Sequence, residues 1–323
     1  MKPLVSVFFL ALLVFPASGF AQLPPLKPLK GTPAPSAPKD PDKFTFILAG
    51  DNRPEKSADP PTDVTQQIFN EIKKQSPAFV LWTGDVIYGK DPSSPEAIGA
   101  QYEAFLKVAA TGNAAVYNAP GNHEMNDKSN CPNSQMLTYY LDDTDQKQPY
   151  GAFDYGDSHF IALDSDEDTP AGDPCNCSSQ SGGSKPPGYI SDTQMAMLAK
   201  DLEANKTKAH IFIFLHRPLV GYKGADQLCP ANVSAMQNLF KQYRTISYVV
   251  AGHQHMYYNP QGPDIFKDPP VRKDPAKKPY YLVSGGGGAP LKGKGFYHYL
   301  VFTVDKAKVS VQVVPVDATE DTN

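Results

Sequence analysis

Five short polar clusters, each set where an apolar run ends, constrain this chain more than any other feature. They are Asp51-Asn52-Arg53, Gly84-Asp85-Val86-Ile87-Tyr88, Gly121-Asn122-His123-Glu124, His216-Arg217-Pro218 and Gly252-His253-Gln254-His255. The runs before them, residues 44–49, 78–83, 114–119, 209–215 and 246–251, are short, continuous and apolar, as buried strands are. Between them lie helical patterns. Val64, Ile68 and Ile72 recur every four residues within 62–75, and further helices are expected over 95–109, 191–204 and 233–243. Strands alternating with helices predict parallel β-α-β units, whose strand ends share one edge where ligands bind.

Further strands are expected at 151–155, 158–164, 280–284, 296–304 and 308–315, the last three as strands of a second sheet. The fold class is therefore α/β, with two packed sheets in layers. With 32 prolines and 24 glycines in 323 residues, long helices and coiled coils are excluded. Two long loops, 165–189 and 259–279, interrupt the order, and loops of that length usually have a job. Within the first, Asp164-Ser165-Asp166-Glu167-Asp168 lacks the glycine and terminal glutamate of a calcium loop and reads as a solvated turn.

Met1-Lys2, an apolar run from Leu4 to Phe15 and a small-residue end at Gly19-Phe20-Ala21 predict a signal peptide over 1–21, with a retained anchor as the alternative. No later stretch is long enough to span a bilayer, so the mature protein is expected to be exported, periplasmic or secreted, with no membrane span. Residues 22–43 hold seven prolines and read as an extended linker. The domain then runs over 44–316, with a tail at 317–323. Export makes the four cysteines readable as two disulfides. A Cys175–Cys177 bridge would be strained, so each is expected to join Cys131 or Cys229. They sit in loops after the signature strands, where they would staple the rim of the site.

The 30 basic and 34 acidic residues leave a formal charge of −4, which argues against a nucleic-acid scaffold. Four of the seven histidines lie in the clusters, beside Asp51, Asp85 and Asn122. A nitrogen and oxygen donor set without thiolate suits zinc, iron or manganese. Asp51, Asp85, Asn122, His216, His253 and His255 are too many for one tetrahedral ion and enough for two that share a carboxylate. Two such ions clamp a phosphoryl oxygen and activate water. His159, His210 and His298 have no such company and are read as structural or solvated. The run Ser284-Gly285-Gly286-Gly287-Gly288 lacks the Lys-Ser/Thr ending of a phosphate loop and lets the backbone pass close to the site.

In order and residue type the clusters resemble those of the calcineurin-like metallophosphoesterases: D-x-H, G-D, G-N-H-E/D, an isolated His and G-H-x-H. The likeness spans Phe44 to Val314. It implies a double β-sheet sandwich flanked by helices with a dinuclear centre at the strand ends. Carried over, Asp51, Asp85 and His255 hold one metal, and Asp85 bridges to a second held by Asn122, His216 and His253. His123 stabilises the transition state or protonates the leaving oxygen, and Glu124 supports the pair. One position departs from the pattern. Arg53 stands where the family has His, and a guanidinium cannot ligate a cation. Either Tyr88 supplies the missing ligand, since Asp85-x-x-Tyr88 is similar to the purple acid phosphatases whose tyrosinate binds Fe(III), or Tyr88 is a core aromatic beside Trp82. Arg53 is then free to hold a phosphate.

The resemblance implies an enzyme that hydrolyses small phosphomonoesters by direct attack of metal-bound hydroxide. Nucleotide or lipid head-group diesters are the alternative substrates. A non-catalytic binding protein that keeps the fold, as a retromer subunit does, is the alternative of another class.

Overall fold

The computed structural model describes residues 21–177, 186–222, 227–261, 278–293 and 295–317. The expected leader, apart from Ala21, and the tail beyond Asp317 lie outside the described residues.

The first sheet contains β1 (Lys43–Ala49), β2 (Val80–Trp82), β3 (Val116–Asn118), β10 (His298–Asp305) and β11 (Lys308–Pro315), in the order β11-β10-β1-β2-β3. β1, β2 and β3 are parallel, and β10 runs antiparallel to both β1 and β11. The second sheet contains β4 (Gly151–Tyr155), β5 (Ser158–Ala162), β6 (His210–Leu215), β7 (Ile246–Ala251), β8 (Tyr257–Tyr258) and β9 (Tyr280–Ser284), in the order β4-β5-β6-β7-β9-β8. Its central strands β5, β6, β7 and β9 are parallel.

The strands are apolar throughout because both faces are covered. In β1, Phe44, Phe46 and Leu48 enter the core between the sheets, where they meet Phe160, Phe212 and Phe302. Ile47 and Ala49 face the other way, onto helices. Helices α1 (Asp63–Gln75), α2 (Pro95–Thr111) and α4 (Ser134–Thr144) pack on the first sheet, and α5 (Asp192–Ala204) and α6 (Pro230–Phe240) on the second. A short α3 (Asn122–Met125) carries one of the clusters. The Thr62 side chain caps α1, and Val64, Ile68 and Ile72 are buried as their spacing requires. The expected sandwich of two sheets flanked by helices is the fold observed.

Four readings change. β10 and β11 extend the first sheet, and only β9 joins the second. Helix α6 starts at Pro230, three residues before the expected start, because proline is preorganised for the first helical position. Asp164 and Asp166 are buried, so this run is not a solvated turn; Asp166 accepts from Arg217 Nε at 2.7 Å, and its own N–H donates to Asp164. The proline-rich stretch is not a free tether. Leu23, Leu26 and Leu29 are each buried in a different part of the core. Leu26 N–H donates to Ala152 O (2.9 Å) and Leu29 N–H to Val116 O (2.7 Å), so this strap covers the edge strands of both sheets.

The histidines outside the clusters are held inside the framework. His210 bonds Ser247 and the Lys306 carbonyl, and His298 bonds Ser284 and the Phe296 carbonyl. His159 lies between Asp154 and Asp201, 2.6 Å from each. Burial disfavours its charge, but the hydrogen bonds and charges of the two carboxylates outweigh this and raise its pKa. A raised folded pKa contributes stability that is fully present below the unfolded value of about 6.5 and is lost as pH climbs through the folded value. The urea midpoint is therefore expected to fall between pH 6 and pH 8.5, and His159→Gln to shrink that step. An equal step in the variant would remove His159 as its cause.

Candidate metal centre

The strand ends of both sheets meet at one edge, and the five clusters meet there too. The backbone at this edge is strained. Asp51 (φ 58°), Asp85 (φ 53°), His253 (φ 69°) and His255 (φ 45°) all occupy the left-handed region that non-glycine residues avoid. Each such residue costs of order 1–3 kcal/mol and persists only where its surroundings over-determine it, as at ligand clamps. Two glycines let the loops touch. A Cβ on Gly84 would lie 2.4 Å from Gly121 N, and one on Gly252 would lie 2.2 Å from Asp51 Oδ2.

Two groups of donor atoms result, with Asp85 common to both. In the first, ligand atoms of Asp51, Asp85 and His255 all lie within 4.8 Å of one another. His255 Nε2 is 3.5 Å from Asp51 Oδ1. In the second, His216 Nε2 is 3.3 Å from Asp85 Oδ1, 3.1 Å from Asn122 Oδ1 and 3.0 Å from His253 Nδ1. All six side chains are buried.

Backbone carbonyls orient two of the rings. His216 Nδ1 bonds the Thr83 carbonyl and His255 Nδ1 the Pro290 carbonyl, both at 2.7 Å. A carbonyl only accepts, so both Nδ1 atoms carry the proton. The Nε2 atoms of both rings are thereby turned toward carboxylate and amide oxygens. Burial and the nearby Lys292 charge lower His255 to about 4, and burial with Arg217 and His216 holds His253 well below the usual histidine range. Burial and the neighbouring Asp85 hold the Asp51 carboxyl well above the usual range. Asp85 goes the other way: burial raises it, but electrostatic interaction with His216, His123, Arg53 and His255 prevails and lowers it. Nitrogen and oxygen ligand atoms converging in a buried site fit cations, and this set fits divalent transition metals.

Glu124 holds the frame. Its carboxylate accepts from the N–H groups of Asp85 (2.8 Å), Val86 (2.8 Å), Ile87 (3.2 Å) and Gly121 (2.6 Å). Burial and Asp85 raise its pKa to about 8 against the pull of these donors. Arg53 and His123 flank the shared carboxylate, Arg53 Nε at 3.8 Å and His123 Nε2 at 4.0 Å from Asp85 Oδ2. Arg53 Nε is buried and has no hydrogen-bond partner among the described residues. The His123 amide donates to Asp85 Oδ1 (3.0 Å), and its Nδ1 bonds the Tyr88 carbonyl. The half-buried Tyr88 sets its ring against His123, centroids 5.9 Å apart, while Trp82 stacks on Phe69 and donates to Asn52. Tyr88 is thus not the core partner of Trp82.

The sequence reading missed Arg217. It links the second donor group to the buried acidic run, with Nη1 3.4 Å from His253 Nε2 and Nε on Asp166. Its place next to His216 was the available signal. The disulfides are Cys131–Cys177 and Cys175–Cys229, so Cys175 and Cys177 pair outward as expected. They join the segments that follow α3, β5 and β6.

The family model for calcineurin-like phosphoesterases matches residues 40–257. Among solved structures, a dimetal phosphatase from Danio rerio is 14% identical with a TM-score of 0.58, over 85% of this chain and 99% of that one. GAP50, the anchor in the inner membrane complex of Plasmodium, is 13% identical with a TM-score of 0.53, over 87% of each chain. No curated protein sequence matches the chain. At such identities the structural likeness establishes the fold, and the family match covers the clusters from Asp51 to His255. The chain belongs to the calcineurin-like phosphoesterases, which are metal-dependent hydrolases of phosphoric esters.

Proposed function

We propose that the protein is an exported phosphomonoesterase with a dinuclear metal centre. Asp51, Asp85 and His255 would hold one ion, and Asp85, Asn122, His216 and His253 the other. Iron, manganese and zinc all suit these donors, with Fe(III) at the first site if Tyr88 ligates. Metals bound there would supply Lewis acidity and a nucleophile derived from water.

The observation that carries the monoester reading is the buried, unpartnered Nε of Arg53 beside Asp85. A buried donor without an acceptor is costly, and a phosphate oxygen satisfies it with a charge-assisted bond. Arg53 thus binds and orients the substrate. His123 presents Nε2 to the same place, because the Tyr88 carbonyl holds Nδ1. Burial lowers His123 to about 3, so it is neutral in the free protein, and a bound dianion favours its protonation. Protonated, it donates from Nε2 to the leaving oxygen. Export is supported by the leader-like first residues and by two disulfides, which persist in oxidising compartments. No described helix is long and apolar enough to cross a membrane.

Elemental analysis of the purified protein, with turnover of p-nitrophenyl phosphate and its bis ester, tests this reading. Two ions per chain and a preference for the monoester are expected. A preference for the diester would favour the alternative substrates. A visible absorption band with iron would place Tyr88 on the metal. His123→Ala is expected to keep both ions and lose turnover by about 10²-fold or more, the general-acid scale. The non-catalytic alternative keeps its interest because the fold is shared with GAP50, described as an anchor. A wild-type protein with no turnover after soaking in manganese, zinc and iron would favour it.

A further inference from the structure

A buried acidic run lies outside the two donor groups, across Arg217 from His253. Asp164 and Asp166 are each 3% exposed, and Glu167 is half-buried. Arg217 Nε answers Asp166 at 2.7 Å, while Glu167 accepts from neutral donors, the Ser191 N–H and Gln194 Nε2. Burial and then the charge of Glu167 hold the Asp164 carboxyl well above the usual range, and burial raises Glu167. Carboxylates crowded together away from water favour a further cation.

A cavity supplies the place for one. Asp166 and Glu167 line a small space of about 10 Å³ with Asn126, Asn130, Thr169 and Tyr189, which is room for one water-sized body. Asn126 is 1% exposed, and its Nδ2 donates to Asn130 O and Asp166 Oδ1, both at 3.3 Å. Its Oδ1 has no hydrogen-bond partner among the described residues. A buried acceptor without a donor calls for a partner of its own. Asp166 and Glu167 also line a larger cavity of about 360 Å³ with Asp164 and Asp168, so a cation approaches past four carboxylates.

We propose that the small cavity binds one calcium ion through the carboxylates of Asp166 and Glu167, Asn126 Oδ1 and the Thr169 hydroxyl. Arg217 and Asn126 engage Oδ1 of Asp166, and Oδ2 accepts one bond, from the Ser165 hydroxyl. All these donors are oxygens, as a hard cation requires. An irregular set drawn from separate segments suits calcium, which takes about six to eight ligands at flexible angles, better than magnesium, which demands an octahedron. Backbone carbonyls and water would complete the shell. The ion would tie the segment after α3 to the loop after β5.

Calcium titration of the zinc-loaded protein, followed by melting temperature, tests this with the strand-end centre filled. A rise of about 3–6 °C is expected at ten times the dissociation constant. It should vanish in Glu167→Gln, shrink in Asn126→Ala and persist in Asp85→Asn. No rise in the wild type would overturn the proposal. So would a rise lost in Asp85→Asn and kept in Glu167→Gln, which would put calcium in the strand-end centre. Terbium, which replaces calcium and is excited through a nearby tyrosine, reads the site independently of stability. Its emission is expected to be displaced by calcium and to drop severalfold in Tyr189→Phe, a variant that removes no ligand and serves even if Glu167→Gln does not fold. Unchanged emission in Tyr189→Phe would place the ion elsewhere and refute the proposal. Neither readout involves turnover, so the phosphomonoesterase reading stands or falls separately.

Discussion

Asp85→Asn is expected to strip the centre of both metal ions, where Asp51→Asn or Asn122→Ala removes one. Among the described residues, Asp85 is the only carboxylate common to the two donor groups. Oδ1 faces His216 and accepts the His123 amide, while Oδ2 faces Arg53 and His123. An amide there would withdraw the negative charge that faces the Arg53 guanidinium and turn an N–H donor toward one group. Removing one partner of a buried charge set costs about 3–5 kcal/mol, enough to lower metal affinity by orders of magnitude. Turnover should fall by at least about 10²-fold, the scale of losing a single transition-state contact. Metal content of the three variants, read side by side, checks the sharing. Two ions retained in Asp85→Asn would mean that Asp85 does not bridge.

Glu124→Ala should have the largest effect on stability. The substitution leaves four backbone N–H groups without an acceptor beneath the site, at about 1–3 kcal/mol for each buried donor that water cannot reach. A loss of about 3 kcal/mol would lower the melting temperature by roughly 6–12 °C for a domain near this size. Glutamine is not expected to rescue it. The four donors divide between the two carboxylate oxygens, and an amide would direct its NH₂ at one pair. Because metal binding itself stabilises the folded state, the comparison belongs in chelator, on metal-free protein. Unchanged melting of metal-free Glu124→Ala would confine Glu124 to the chemistry.

The parts of this structure legible in the sequence are those where local pattern and global fold agree. Strands buried on both faces read as unbroken apolar runs, and α1 showed its spacing of four. The donor residues stood out because strand ends concentrate polar groups at one edge. What was missed depends on distant partners. Helix α4 turns Met136, Tyr140 and Thr144 inward, a face too mixed in polarity to read as periodic. Asp164 and Asp166 look like solvent-loving residues until Arg217, 51 positions after Asp166, arrives to pair with one of them. The sheet joined by β10 and β11 is set by pairing with β1 at the far end of the chain. Leucines at 23, 26 and 29 keep the three-residue period of a polyproline helix, which aligns them on one side, but their prolines drew attention to extension.

That strap would constrain the removal of the expected leader. Leu23 is buried two positions after Ala21, the expected cleavage point, and the Pro24 carbonyl is already paired with Ala152 N–H. A peptidase needs several residues on either side of its cut in an extended, accessible form. If a leader is cut at Ala21, its removal would have to precede the docking of residues 23–29. Processing would then come before docking, with the cleaved end laid across the edges of two sheets only after the cut.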